Sequence, residues 1–318
     1  MSKVKNNYVY GVIGIGVKNG NYNAGFDKYP KETASGVIYA TPQCINYAIR
    51  NQLLSEGKIV LYRKTYTDEG IVNGLKERYE NIFGTMDKKN IKALNENLFK
   101  AADIRLFGCT FATGQVNSSI TGAVQIGYGI NKYENTMIEE SLILSPFANN
   151  KGKDGEIEEK KASSLGTNIF TDEAHYLHPF TINPKENDDF LYLDNYEGFT
   201  QDDYEMFKES SMIAVSNLNS KTKQGCKNEF NLFVETEDNI KNTLDLNLLN
   251  EYIKVYKEDG VLIYDLIEVL DIFDKTIDKI KSIEIYYNQY TIKLKGNTER
   301  LKKTNKIRVF DLLTREEI

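Results

Sequence analysis

His175 and His178 are the only histidines in the chain, and they stand three residues apart with Asp172 and Glu173 beside them. This pattern could hold a metal ion or move protons, because neutral imidazole nitrogens and carboxylates serve as ligands and as general bases. A third ligand at a defined spacing is not identifiable, and no further acid–base group stands out to pair with them. We therefore expect a structural or surface role for both histidines and no bound metal or other cofactor. Cys44, Cys109 and Cys226 are odd in number and far apart. This argues against a disulfide framework and a zinc knuckle and for buried, reduced thiols. Gly14-Ile15-Gly16 resembles the start of a dinucleotide fingerprint, but Asn19 stands where the third glycine belongs and no helix follows.

What remains is cationic and polar. Residues 219–228 read Asn-Ser-Lys-Thr-Lys-Gln-Gly-Cys-Lys-Asn, with three lysines and no acid. Lys221, Lys223, Gln224 and Lys227 there suit a phosphate grip, since lysine acts as a point charge and Gly225 lets a backbone approach. A solvated lysine loop has the same composition. Residues 18–30 form a second polar stretch, in which Lys18, Asn21 and Asn23 offer a cation and exposed amides. That stretch reads equally as an ordinary surface turn.

Bulk charge alone argues against nucleic acid, because the net charge is −6 and the isoelectric point near 5.3. The charge is unevenly spread, however. Residues 1–66 carry nine Lys or Arg against Asp27, Glu32 and Glu56, a net of +6 that leaves −12 for the other 252. Segregation of this kind permits a local basic groove on an acidic protein. The longest apolar runs are too short for a bilayer span, and the N-terminus lacks the features of a secretion signal, so we expect a cytoplasmic protein.

The elements that must position these residues follow from periodicity. Residues 8–17 read as a buried central strand, whose small residues let another backbone or a ligand come close. Thr41-Pro42 starts a helix with Ile45, Ala48, Ile49 and Leu53 as its buried stripe, Arg50 off that stripe and Gly57 at its end. Residues 58–66 read as a second strand ending in Arg63 and Lys64. Two helices, about residues 68–83 and 87–101, form an insertion around Gly84. Residues 102–108 (Ala-Asp-Ile-Arg-Leu-Phe-Gly) and 119–125 (Ser-Ile-Thr-Gly-Ala-Val-Gln) read as short strands, with Gly108 and Gly122 at turns or close approaches. Residues 135–170 form a long mixed-charge loop. Thr200 with Asp203 makes a capping box for a helix whose stripe is Tyr204, Phe207, Ala214 and Leu218. Residues 230–235 read as an edge-facing last core strand. Beyond residue 241 we expect strands at 261–266 and 283–295 and a helix at 267–279, completing or flanking the core sheet.

The paired runs at 102–108 and 119–125 resemble the signature of the backbone subunit of Cascade-type (type I) CRISPR surveillance complexes, nearest the type I-B branch. The resemblance spans roughly residues 8–235, with its motifs in order. It implies that the asparagine-rich loop after the first strand lies beside a guide RNA. It also implies that Arg50 faces the RNA backbone, that a variable finger region occupies 67–100, and that a thumb hairpin protrudes within 135–170. Leu165-Gly166-Thr167 and the basic loop before residue 230 match the family pattern as well.

The order strand, helix, strand, insertion, strand, insertion, helix, strand is a split βαβ pattern. We therefore expect an α+β fold with a ferredoxin-like, RNA-recognition-motif-like palm over residues 1–240, bearing fingers and thumb, and a C-terminal extension over 241–318. The expected function is a non-catalytic subunit that polymerises head to tail along the guide RNA, beside other Cascade subunits. Bases left free would pair with target DNA in antiviral defence. Lys18, Asn21, Asn23, Arg50, Arg105, Lys221, Lys223, Gln224 and Lys227 are the expected RNA contacts. An alternative is an RNA-cleaving backbone subunit or repeat-processing endoribonuclease, for which Asp27 or the histidines would have to serve. A third is a metabolic α/β enzyme, which would need a well-formed apolar pocket.

Overall fold

The computed structural model describes residues 3–114, 116–148, 162–238, 244–298 and 302–318. Its axis is β1 (Val9–Gly20), a strand buried on both faces. Val9, Ile13, Ile15 and Val17 enter one apolar cluster, and Tyr10 and Val12 enter another on the opposite side. An apolar run without alternation is what a strand covered on both faces requires.

The chain continues through β2 (Tyr39–Ala40), α1 (Pro42–Ser55), α2 (Leu75–Phe83), α3 (Ile91–Lys100) and α4 (Ala102–Phe107). It then forms β3 (Gly108–Thr113), β4 (Val116–Thr121), β5 (Val124–Ile126), β6 (Gly129–Asn131), β7 (Ile138–Ala148) and β8 (Ala162–Ile182). After α5 (Gln201–Ser211) come β9 (Cys226–Thr236), β10 (Lys254–Glu258), β11 (Val261–Asp265), α6 (Ile267–Lys275), β12 (Ile280–Tyr287), β13 (Ile292–Lys295) and β14 (Ile307–Asp311). The main sheet runs β14-β12-β9-β1-β8-β6-β2, with β5 and β7 also paired to β8. Helices α1 and α5 pack on one face, and the small sheet β10-β11-β13 with α6 packs on the other. A third cluster holds α2, α3 and the hairpin β3–β4 together around Leu98, Phe99 and Phe111.

β8 has 21 residues and spans about 70 Å at ~3.3 Å each. Its second half pairs with β1, from Gly20↔Thr171 to Val9↔Ile182. Among the described residues its first half pairs with β7 alone, Ile138↔Thr171 through Ala148↔Ala162, as a two-stranded ribbon. Residues 149–161 of the expected thumb lie outside the described residues.

Several expectations hold. Helix α1 buries Ile45, Ala48, Ile49 and Leu53, and Gly57 closes it in a left-handed conformation. The Thr200–Asp203 capping box is formed. Gly108 has φ +74, and a Cβ on Gly108 or Gly122 would collide with the other's backbone.

Other expectations need correction. Residues 102–107 are a helical turn, α4, not a strand, because over six residues a period of two and a period of 3.6 fit the same apolar positions. Tertiary partners decide: Asp103 accepts the Leu61 and Tyr62 amides at 2.9 and 3.0 Å. The same bonds explain why 58–66 is no strand. Its Leu61 and Tyr62 amides go to Asp103 and its Val60 and Leu61 carbonyls to Arg78, at 2.7 and 3.3 Å, instead of to a neighbouring strand. Residues 119–125 are split, since β4 pairs with β3 in a two-stranded sheet and β5 with β8 in the main sheet. The helices of the insertion begin later than expected, at Leu75 and Ile91, and α5 ends at Ser211, leaving Ala214 in a turn and Leu218 beyond it. β9 is no edge strand, because β12 and β14 extend the sheet beyond it. The expected strand at 283–295 is two strands, β12 and β13, in different sheets. No helix among the described residues is long and apolar enough to cross a membrane.

Candidate nucleic-acid interface

The two polar loops found in the sequence are fastened to each other at one end of β1. The Lys18 amide donates to the Gly225 carbonyl and the Asn21 amide to the Thr222 carbonyl, both at 2.9 Å. Glycine at 225 is required by this contact, since a Cβ would overlap the Lys18 carbonyl. Lys223 turns inward and donates its Nζ to the Asn21 carbonyl at 3.0 Å and to that of Tyr22. It staples the loops together beside the Tyr22 ring. Asn21 is buried and donates to the Lys28 and Ile169 carbonyls at 3.0 and 3.3 Å, tying the first loop to β8. The Asn23 Oδ1 accepts from the Thr41 amide and hydroxyl at 2.8 and 3.1 Å, fixing the start of α1. Lys18, Lys221 and Gln224 are left exposed and Lys227 half-buried, so the loop pair presents these four to solvent.

Two other expected contacts lie in internal ion pairs. Arg50 Nε bonds Asp103 at 3.2 Å, with its guanidinium near the Phe107 and Tyr62 rings. Arg105 Nε bonds Asp203 at 2.8 Å and its Nη1 donates to the Phe99 and Lys100 carbonyls. None of these contacts joins either arginine to the lysine loops.

The histidines sit on opposite faces of β8, not on a helix, because residues three apart in a strand alternate sides. His178 is fully buried: Nδ1 bonds the Gly127 carbonyl at 3.0 Å and Nε2 the Tyr22 hydroxyl at 3.2 Å. Burial pulls it down to about 4, so it is neutral near pH 7. His175 lies between two carboxylates, with Nδ1 2.6 Å from Glu229 and Nε2 3.1 Å from Glu173. Burial opposes its charge, yet the two carboxylates outweigh burial and raise it to about 9. The His175 hydrogen bond, helped by Lys257, holds Glu173 down to about 2 against its partial burial. Tyr264 from the small sheet donates to the same Glu229 at 2.6 Å.

No sequence pattern marks Glu229. The β1–β9 register shifts between Gly14 and Ile15, leaving Glu229 as the extra residue of a bulge and aiming it over Gly16. Its only sequence signal is that glycine, whose missing side chain leaves room for the carboxylate.

Among the described residues no three His, Cys, Asp or Glu side chains are grouped to hold a metal ion. All three cysteines are unpaired, and burial pushes the Cys109 and Cys226 thiols up to about 12. Asp27 Oδ1 accepts the Tyr29 amide at 3.1 Å in a shallow groove that Tyr39 also lines.

Comparison with known proteins identifies the family. The profile described as "CRISPR-associated protein Cas7" matches residues 7–293. The chain belongs to the Cas7 family. No curated protein matches this Cas7-family chain in a sequence search. A solved structure described as "CRISPR RNA-guided surveillance complex, pre-nicking" has 11% identity and a TM-score of 0.51, with 94% of this chain and 98% of that chain covered. Another, described as "CRISPR RNA-guided surveillance complex", has 11% identity and a TM-score of 0.49, covering 88% of each chain. At this identity the first of these likenesses speaks only to the mixed α/β fold with its large sheet and few helices.

Proposed function

We propose that this chain is a guide-RNA-binding backbone subunit of a type I, I-B-like Cascade complex, polymerising head to tail along the crRNA in antiviral defence. Membership of the Cas7 family gives it a crRNA-binding backbone role, with other Cascade subunits as partners. The observation that carries the RNA site is the clamped loop pair, which presents Lys18, Lys221, Gln224 and Lys227 together at the root of the β7–β8 ribbon. Lysines on a backbone cradle hold phosphates without reading bases, as a subunit accepting any guide requires.

The order β9-β1-β8-β6, antiparallel throughout, with α1 and α5 on one face, supports a ferredoxin-like palm over residues 1–240. The helical insertion at 67–100 is then the fingers and the β7–β8 ribbon within 135–170 the thumb. Residues 241–318 are the extension packed on the core. Asn21, Asn23 and Lys223 act through the loop framework, and Arg105 holds α4 to α5. Arg50 remains a contact candidate through the guanidinium nitrogens that Asp103 does not engage. Target DNA would pair with guide bases left open between thumbs.

Cleavage is the weaker reading, because His175 and His178 are 2% and 0% exposed and cannot reach a strand, leaving Asp27 alone for that role. The test is to purify the full chain with whatever nucleic acid accompanies it, then size and sequence that material. Guide-length RNA of varied spacer sequence supports the proposal. Absence of RNA, or cleavage of bound RNA abolished by Asp27→Ala, overturns it.

A further inference from the structure

The small sheet β10-β11-β13 does more than cover the main sheet. Between the two lies a cleft of about 660 Å³. One wall is the end of β1, β8 and β9, where Lys227, Gly16 and His175 stand opposite one another in a single row of the register. The other wall is the β10–β11 turn with Lys257 and the β12–β13 turn leading into Lys293.

Charge in this cleft is one-sided. Lys18, Lys227, Lys257, Lys293 and the His175 imidazolium face only Glu173 and Glu229. Both carboxylates are already engaged: Glu229 binds His175 and Tyr264, while Glu173 binds His175 and Lys257. Lys227 and Lys293 have no carboxylate partner among the described residues. A concave surplus of positive charge on a protein of net charge −6 gathers anions, since a cleft with low-dielectric walls focuses the field. The cleft is also continuous with the lysine loops, because Lys18 and Lys227 belong to both.

We propose that this cleft is a phosphodiester-binding subsite, so that the C-terminal sheet grips the same RNA strand that the lysine loops hold. The proposal rests on the RNA-binding reading above and gives residues 241–318 a part in it. The Tyr264–Glu229–His175 and Lys257–Glu173 contacts fasten the small sheet at the spacing that keeps the cleft open.

The test measures affinity of the full chain for mixed-sequence single-stranded RNA across a salt series. Lys293→Gln should weaken binding about fivefold and reduce the salt slope by about one unit. Lys281→Gln is the control, since Lys281 is exposed beside Glu235 at the far end of β9 and should bind like the parent. If Lys221→Gln weakens binding while Lys293→Gln does not, the cleft is no subsite and the RNA reading stands. If the parent chain itself binds no RNA, both fall. Equal losses in Lys293→Gln and Lys281→Gln would show a diffuse charge effect and also overturn the subsite.

Discussion

Replacing Asp103 with alanine should destabilise the protein by about 4 kcal/mol without touching the lysine loops. Asp103 is fully buried and accepts three hydrogen bonds, from the Leu61 and Tyr62 amides at 2.9 and 3.0 Å and from Arg50 Nε at 3.2 Å. Hydrogen bonds to a charged group contribute about 1.5–3 kcal/mol each, and removing the acceptor leaves two amides and a cation unsatisfied in a half-dry site. Some relaxation and water entry bring the sum down to roughly 4 kcal/mol. For a chain of 318 residues that is a fall in Tm of about 6 °C, readable by circular dichroism. Asp103→Asn keeps one acceptor but turns an NH₂ toward donors, and should lie about 1 kcal/mol closer to the parent. Arg50→Met in the Asp103→Ala background should cost less than in the parent, because the cation it removes is already unpaired. A loss below about 1 kcal/mol for Asp103→Ala, or strict additivity with Arg50→Met, would refute the claim that this carboxylate organises residues 58–66.

Gly16→Ala places a Cβ inside the Glu229 carboxylate and should cost roughly 3 kcal/mol in urea unfolding, whereas Gly36→Ala meets no neighbouring atom and should cost only about 1 kcal/mol, the strain of its left-handed backbone. His175 has a folded-state value of about 9 against 6.5, so its stabilisation is complete below about pH 6.5 and is lost as pH rises through 9. Tm should therefore decline between pH 7 and 9.5, and Glu229→Gln should flatten that decline; a parallel decline in the variant would contradict the assignment. Glu173, held near 2 against 4.5, works the other way, and its contribution is present above pH 4.5 and lost as pH falls toward 2. Lys221→Ala should weaken binding of unrelated RNA sequences equally and reduce the salt slope by about one unit, and a loss confined to one sequence would contradict phosphate contact.

The parts of the fold legible in the sequence are those whose signal is local. β1 shows itself as an unbroken apolar run, α1 by its stripe behind Thr41-Pro42, and α5 by its capping box. The illegible parts depend on partners distant in sequence. Residues 58–66 have strand composition, but the Leu61 and Tyr62 amides are taken by Asp103, some forty residues away. Residues 102–107 are too short for periodicity to separate helix from strand, and their Asp103 and Arg105 bonds to residues 61, 62 and 203 settle the matter. The strands β12 and β14 join a sheet begun near residue 9, a pairing no local pattern announces.

The same distinction governs the candidate site. Composition finds cations, but only the folded chain shows which of them remain available to a ligand. Lys223 and Arg105 are cations in the sequence like Lys221 and Lys227, yet the first pair is engaged by carbonyls and a buried carboxylate. A cation so engaged strengthens the cradle and adds little attraction for phosphate, because its charge is already compensated and its donors are occupied. Lys293, by contrast, carries no motif, and reaches the lysine group only because the β11–β13 pairing sets its strand across the cleft from the end of β1. Attraction for a polyanion on an acidic chain therefore depends less on how many cations the loops contain than on the few that the internal carboxylates leave uncompensated along one continuous surface.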